Sequence, residues 1–293
     1  MPSTVRAMLQ GMTMATRDMR FYSESAVRFL AAASARRNSI ENDWLHTQRE
    51  LQKIWPRPGR TVLALVHEGD EGLDAEDATD LLTVLAQLSP DDPVDVILHT
   101  HGGSATAANR IAAALIGRRN TAAFIPFYAE SAGTEVALAC EEIHLGNDAN
   151  LTPIDIHIEG TPARDLVELA HKAGPRASET LRLAAKVAER ALKDEAKTVD
   201  SLIHPNHKTA KARVSLGRRL TSGRSYHAEL IRFDNAQQMG MNVIRGVPAA
   251  LYRFIGTRRA QLRQLRDLDS QIKFVHRREP EPHVEVQAAL GTA

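Results

Sequence analysis

The chain has 293 residues, 43% of them hydrophobic and 25% charged, which supports a buried core and excludes both a disulfide-stapled miniprotein and an intrinsically disordered chain. Its 37 basic and 36 acidic side chains nearly cancel, so bulk charge excludes nucleic acid as a partner and offers no drive toward anionic lipid. Cys140 is the single cysteine; no internal disulfide can form, and a reducing, cytoplasmic setting is expected.

In chain order, the first 35 residues read as an amphipathic helical arm rather than a signal peptide, because Asp18 and Glu24 interrupt them. Ile40, Trp44, Leu51 and Ile54 recur at helical spacing over 38–54, and Trp55-Pro56-Arg57-Pro58-Gly59 ends that pattern. Thr61–Val66 is a short apolar run of the kind found in strands buried on both faces. Helix over 74–88, strand over 94–98, helix over 105–116, strand over 122–126 and helix over 132–140 follow, with a further short apolar segment at Ile143–Leu145. Such alternation predicts an α/β fold with a mostly parallel sheet covered by helices. Residues 166–197 read as one or two helices broken near Gly174-Pro175, 204–211 as a polar loop, 248–268 as a basic amphipathic helix, and Glu279-Pro-Glu-Pro282 as the start of a disordered tail. No stretch reaches the roughly eighteen apolar residues a transmembrane helix needs. The expected division is a helical arm (1–59), a catalytic-type domain (60–247) and a basic helix with tail (248–293).

Two loops follow strands and open helices. Thr100-His-Gly-Gly-Ser104 either aims backbone N–H groups at an anionic oxygen, as an oxyanion hole does, or simply makes a tight turn. Tyr128-Ala-Glu-Ser-Ala-Gly-Thr134 makes Ser131 either a helix N-cap or a nucleophile whose developing oxyanion meets the Ala132 N–H. Loops at the carboxyl ends of parallel strands converge on one crevice, so Gly102, Gly103 and Ser131 are expected to meet.

The blocks Asp95–Ala108 and Tyr128–Ala139 resemble the oxyanion and nucleophile blocks of Clp-type and signal-peptide-peptidase-type serine peptidases, and the serine dehydrogenase proteinase family most of all. The resemblance extends through Leu151-Thr-Pro-Ile-Asp155, Leu220–His227 and a helix over 235–241, covering about 61–243. It implies the spiral β/α fold of Clp and crotonase proteins, often with self-assembly. It also implies Ser131 as nucleophile and Gly102 or Gly103, with Ala132, as oxyanion donors. The base stays open. The Clp histidine position offers Asp155, with His157 two residues on, and His227 lies near the later aspartate's position. Asp155 and His227 could form a rearranged relay, because a base needs only reach and an orienting carboxylate. Signal-peptide-peptidase-like relatives use a buried lysine instead, for which Lys172 and Lys186 are the candidates. His101 stands where relatives carry proline, which predicts a less rigid loop.

The expected activity is therefore that of a serine peptidase acting through an acyl-enzyme on a peptide or protein substrate, in a homo-oligomer. The alternatives are a weak or inactive Clp-fold assembly or peptide-binding module, and crotonase-like acyl-CoA chemistry. No cofactor is expected. No metal is expected either, since His204-Pro-Asn-His207 offers two imidazoles with no residue completing a set. The Arg258, Arg259, Arg263 and Arg266 face reads as solvated.

Overall fold

The computed structural model describes residues 24–207, 216–222 and 229–278. Helix α1 (Glu24–Ile54) leads to β1 (Thr61–Val66), α2 (Ala75–Leu85), β2 (Val94–His99), α3 (Ala105–Ile116), β3 (Thr121–Ile125), β4 (Tyr128–Ala129) and α4 (Ala132–Leu138). Then come β5 (Glu142–Leu145), β6 (Asn150–Leu151), β7 (His157–Ile158), β8 (Thr161–Pro162), α5 (Ala163–Ala173), a 3-10 turn (Gly174–Arg176) and α6 (Glu179–Leu202). Helix α7 (Phe233–Gln238), β9 (Val243–Arg245) and α8 (Ala250–Arg278) complete the described chain.

The elements group into two compact units, one formed by the described residues up to Glu50 and from Ala260, the other by Leu51–Arg259. In the first, Ala26, Leu30, Ala33 and Ile40 are buried at the spacing of one helix face, and Arg36 Nη2 donates to Gln264 Oε1 at 2.8 Å. The expected helix over 38–54 thus begins earlier, at Glu24, because the apolar face continues upstream. The C-terminal helix runs on to Arg278. The tail from Glu279 and the first 23 residues lie outside the described residues.

The second unit is built on a five-stranded parallel sheet in the order β1-β2-β3-β5-β9, with Leu65 opposite Leu98 and Ile97 opposite Phe124. Every residue of β2 is buried, because strands flank it on both sides and both faces are covered. Val96, Leu98, Ala123, Ile125, Ile143 and Leu145 share one apolar cluster with Leu81 of α2, Ile111 and Leu115 of α3 and Val136 of α4. On Asp95 the Trp55–Arg60 linker closes. The fully buried carboxylate accepts from Trp55 Nε1 at 2.7 Å, Arg60 Nε at 2.6 Å and Arg57 Nη1 at 3.1 Å, and Trp55 stands edge-on to Phe124 at 5.0 Å. Three donors satisfy a charge that would otherwise be costly to bury.

The expected break near Gly174-Pro175 is the 3-10 turn that separates α5 from α6. Of the polar 204–211 segment, residues 204–207 are described, and they turn the fully buried His207 inward. Its Nε2 bonds the Cys140 carbonyl at 2.9 Å and its Nδ1 accepts the Asn242 N–H at 2.8 Å, which makes it a neutral tether between the end of α4 and the approach to β9. Burial pushes the imidazole down to about 4 from its ordinary 6.5. The unfolded chain therefore takes up a proton that the folded chain refuses, so this contribution is complete above about pH 6.5 and is lost as pH falls toward 4. His207→Ala leaves two buried backbone groups unpaired and is expected to cost about 2–4 kcal/mol at pH 7, with a smaller cost at pH 5, as read by urea denaturation.

Candidate active site

Beyond the carboxyl ends of β2 and β3 the chain forms a second, smaller layer of parallel pairings. Tyr128 and Ala129 pair with Asn150 and Leu151, Thr100 bridges Ala129, and Leu73 bridges Gly103. The Glu130 N–H donates to the Thr100 carbonyl at 3.0 Å, and the Leu73 N–H to the Gly102 carbonyl at 2.7 Å. The glycine turn and the serine turn are thereby held side by side. A Cβ built on Gly102, whose φ is +108°, would stand 3.0 Å from the Ser131 Cβ, and one on Gly133 would stand 2.6 Å from the Thr100 Cγ2. Glycine is required at both places for the approach of the turns.

Ser131 sits at the turn from β4 into α4 with φ 48° and ψ −114°, a backbone conformation that costs a non-glycine residue on the order of 1–3 kcal/mol. It does not cap the helix, since its side chain makes no capping hydrogen bond. The Ser131 N–H donates to Thr152 Oγ1 at 2.8 Å, while Thr134 Oγ1 donates to the Ala129 carbonyl at 2.9 Å. Thus the backbone of the turn is pinned, and Ser131 as a residue is part-buried. Among the described residues, no acceptor binds the N–H of Gly103 or of Ala132, whereas the Gly102 N–H is taken by Thr100 Oγ1 at 3.1 Å.

The other expected site residues fall at varied distances from this turn. Asp155 is half-buried three residues beyond Thr152, and His157 is exposed at the start of β7. His227 lies outside the described residues; on either side of it, the Leu220 carbonyl accepts the Ile154 N–H at 2.9 Å and Ile231 exchanges two hydrogen bonds with Leu151. Lys172 and Lys186 are exposed on α5 and α6, not in the buried setting the resemblance called for. His101 is not the loosening element its replacement of proline suggested. Its Nδ1 meets Glu130 Oε2 at 2.7 Å and its ring stacks on Tyr128 at 4.3 Å, tying the two turns together. Among the described residues, no group of three His, Cys, Asp or Glu side chains is placed to hold a metal ion, and no helix is long and apolar enough to cross a membrane.

Sequence reasoning missed Thr152 and the ionisable groups behind the serine turn. Thr152 carries no signal beyond its place before Pro153, because only the β4–β6 pairing brings it to Ser131. Glu135 lies one turn along α4 from Ser131, 1% exposed, and neither carboxyl oxygen has a hydrogen-bond partner among the described residues. Burial, and after it the Glu195 carboxyl of α6, push Glu135 up to about 8; burial raises Glu195 as well. Such a group keeps its proton at neutral pH instead of burying a bare charge.

The fold thus places a strained serine beside a glycine turn at the carboxyl edge of a parallel sheet. The chain belongs to the ClpP-like SDH-type serine proteinase family, whose model matches residues 71–282. Two uncharacterized proteins of Methanocaldococcus jannaschii are similar to it: one is 27% identical over 259 residues, 84% of this chain and 87% of the relative. The other is 28% identical over 226 residues, 73% and 79% respectively. Among solved structures, the fold is similar to a ClpP1 variant from Listeria monocytogenes (13% identity, 68% of this chain and 96% of that one, TM-score 0.42). It is also similar to a variant of the 1510-N membrane-bound stomatin-specific protease (14% identity, 68% and 86%, TM-score 0.43).

Because Glu135 binds its proton more tightly in the folded than in the unfolded chain, its contribution is complete below about pH 4.5 and declines as pH rises toward 8. Glu135→Gln is therefore expected to match the parent near pH 4.5 and to exceed its stability by about 1–3 kcal/mol near pH 8, as read from urea midpoints across pH.

Proposed function

We propose that the protein is a serine hydrolase of peptidase type that cleaves a peptide bond through an acyl-enzyme. Ser131 Oγ attacks the carbonyl carbon, and the carbonyl oxygen, now negative, is received by the N–H groups of Gly103 and Ala132. The observation that carries this reading is the Ser131 turn itself. Its backbone is strained, its hydroxyl is free of capping, and its Cβ lies 3.0 Å from the Cβ position of Gly102. Strain at an N-terminal helix residue that yields no cap is a cost without structural return, as expected of a nucleophile held in place.

For the base we propose His227 oriented by Asp155. Support comes from the chain on either side of His227, where Leu220 and Ile231 bond the Leu151–Ile154 segment that leads into Asp155 and also carries Thr152. His227 would take the serine proton during acylation and return it to the leaving amine. We further propose a cytoplasmic homo-oligomer acting on a peptide or protein, its assembly supported by Leu169 of α5 and Leu183 and Val187 of α6, large apolar residues left 55%, 64% and 43% exposed.

A fluorophosphonate probe is expected to label the folded protein once, at Ser131, and not to label Ser131→Ala. Gly102→Ala, which drives a methyl group toward the Ser131 Cβ, is expected to slow labelling about 100-fold or more. A folded, unreactive parent protein would overturn the hydrolase reading in favour of a Clp-fold module without chemistry. Leu183→Asp is expected to lower the mass of the assembly in sedimentation while leaving the labelling of Ser131 intact.

A further inference from the structure

Behind the glycine turn lies a chain of polar groups that the reaction described above does not use. His67, at the end of β1 and 8% exposed, places Nδ1 2.8 Å from Thr100 Oγ1 and Nε2 3.0 Å from Asp77 Oδ2. Asp77 belongs to the first turn of α2, where its carboxylate also accepts the Asp74 N–H at 3.0 Å in a capping box. At the other end, Thr100 Oγ1 accepts the Gly102 N–H and lies in donor range of the Gly102 carbonyl, both at 3.1 Å. A continuous path thus runs from the start of α2 through an imidazole to the turn beside Ser131.

Burial tends to raise the Asp77 carboxyl, but the hydrogen bond and charge of His67, with the Asp74 N–H, outweigh it and hold the group below its ordinary value. A carboxylate only accepts, so His67 Nε2 carries the proton toward Asp77. His67 Nδ1 and the Thr100 hydroxyl share one hydrogen bond at 2.8 Å, and the hydroxyl lone pairs also receive the Gly102 N–H. The order hydroxyl, imidazole, carboxylate is that of a nucleophilic triad. Thr100, however, is fully buried and its oxygen is engaged by Gly102, so it holds rather than attacks.

What it holds decides the orientation of an oxyanion donor. Gly102 and Gly103 have φ values of +108° and +137°, in a region where the peptide between two glycines rotates easily. The carbonyl of that peptide is fixed by the Leu73 N–H at 2.7 Å. In a trans peptide the N–H points opposite to the carbonyl, so fixing the oxygen on the Leu73 side turns the Gly103 N–H the other way. Thr100 fixes the preceding peptide through the Gly102 N–H, and His67 keeps the Thr100 hydroxyl in the rotamer that does so.

We infer that His67, bridging the Asp77 carboxylate and the Thr100 hydroxyl, is a positioning residue that sets the Gly102–Gly103 turn as an oxyanion site beside Ser131. The inference rests on the hydrolase reading for its catalytic consequence, and on the buried hydrogen-bond chain alone for its structural one.

The test uses the full chain, with Thr100→Val, Thr100→Ser and His67→Ala, each confirmed as folded by its thermal transition. Fluorophosphonate labelling gives the maximal acylation rate and the half-saturating probe concentration, and amide exchange follows the segment 98–108. Thr100→Val and His67→Ala are expected to lower the maximal rate about 10–100-fold at similar half-saturation. Thr100→Ser, which restores the hydroxyl, should stay within about 3-fold of the parent. Labelling of Thr100→Val and His67→Ala at the parent rate would overturn the positioning role and leave the hydrolase reading standing. If the parent itself is not labelled, the hydrolase reading fails and exchange decides: faster exchange at Gly102 in Thr100→Val but not in Thr100→Ser upholds the strut, and unchanged exchange overturns it.

Discussion

Thr100 is the residue on which the site depends, because one short segment is bound there from four directions. Its carbonyl accepts the Glu130 N–H, its N–H reaches the Tyr128 carbonyl, its hydroxyl serves Gly102 and His67, and its methyl group packs where Gly133 leaves room. A strained conformation such as that of Ser131 persists only when its surroundings over-determine it. The Thr100–Ala129 pairing on one side and the Thr152 hydroxyl on the other supply that constraint. His101 with Glu130, and Glu130 with Asn150 at 3.2 Å, repeat the tie at the rim. These bonds together hold the two turns side by side.

The buried ionisable groups divide by how they are satisfied. Asp95 accepts from three donors and fastens the Trp55–Arg60 linker over the sheet. His207 stays neutral with both nitrogens bonded. Glu135 and Glu195 have no comparable set of donors, and burial holds each carboxyl toward its protonated form. Low dielectric makes an unpaired charge far more expensive than a shifted titration. The protein therefore combines a tightly satisfied sheet with an uncompensated carboxyl pair behind α4, the helix that Ser131 opens.

Much of the central unit was legible in the residues. Thr61–Val66 and Ala105–Ile116 form the strand and helix expected of them, because the strands read as apolar runs and the helices keep a clear 3.6-residue period; β2 and β3 are buried throughout, whereas β1 at the sheet edge buries only Leu65 and Val66. The serine and glycine turns were also legible, since both punctuate a strand and open a helix. Asp155 could be named as a candidate from the Pro-Ile-Asp block, yet nothing in that block fixes its distance to Ser131. Lys172 and Lys186, candidates only by their distance along the chain, are exposed on charged helices, and helical periodicity gives the face of a residue on its helix, not what that face meets.

The sequence by itself determined the α/β class, the order of its elements and the two turns with chemistry to offer, because local propensity and hydrophobic period act over a few neighbouring residues. Only the tertiary structure decided that Ser131 is strained and uncapped, that Thr152 binds its N–H, and that His67, just past β1, reaches Thr100, just past β2. The last two join residues 21 and 33 positions apart, and contacts at such separations are set by how strands register and pack rather than by any local pattern.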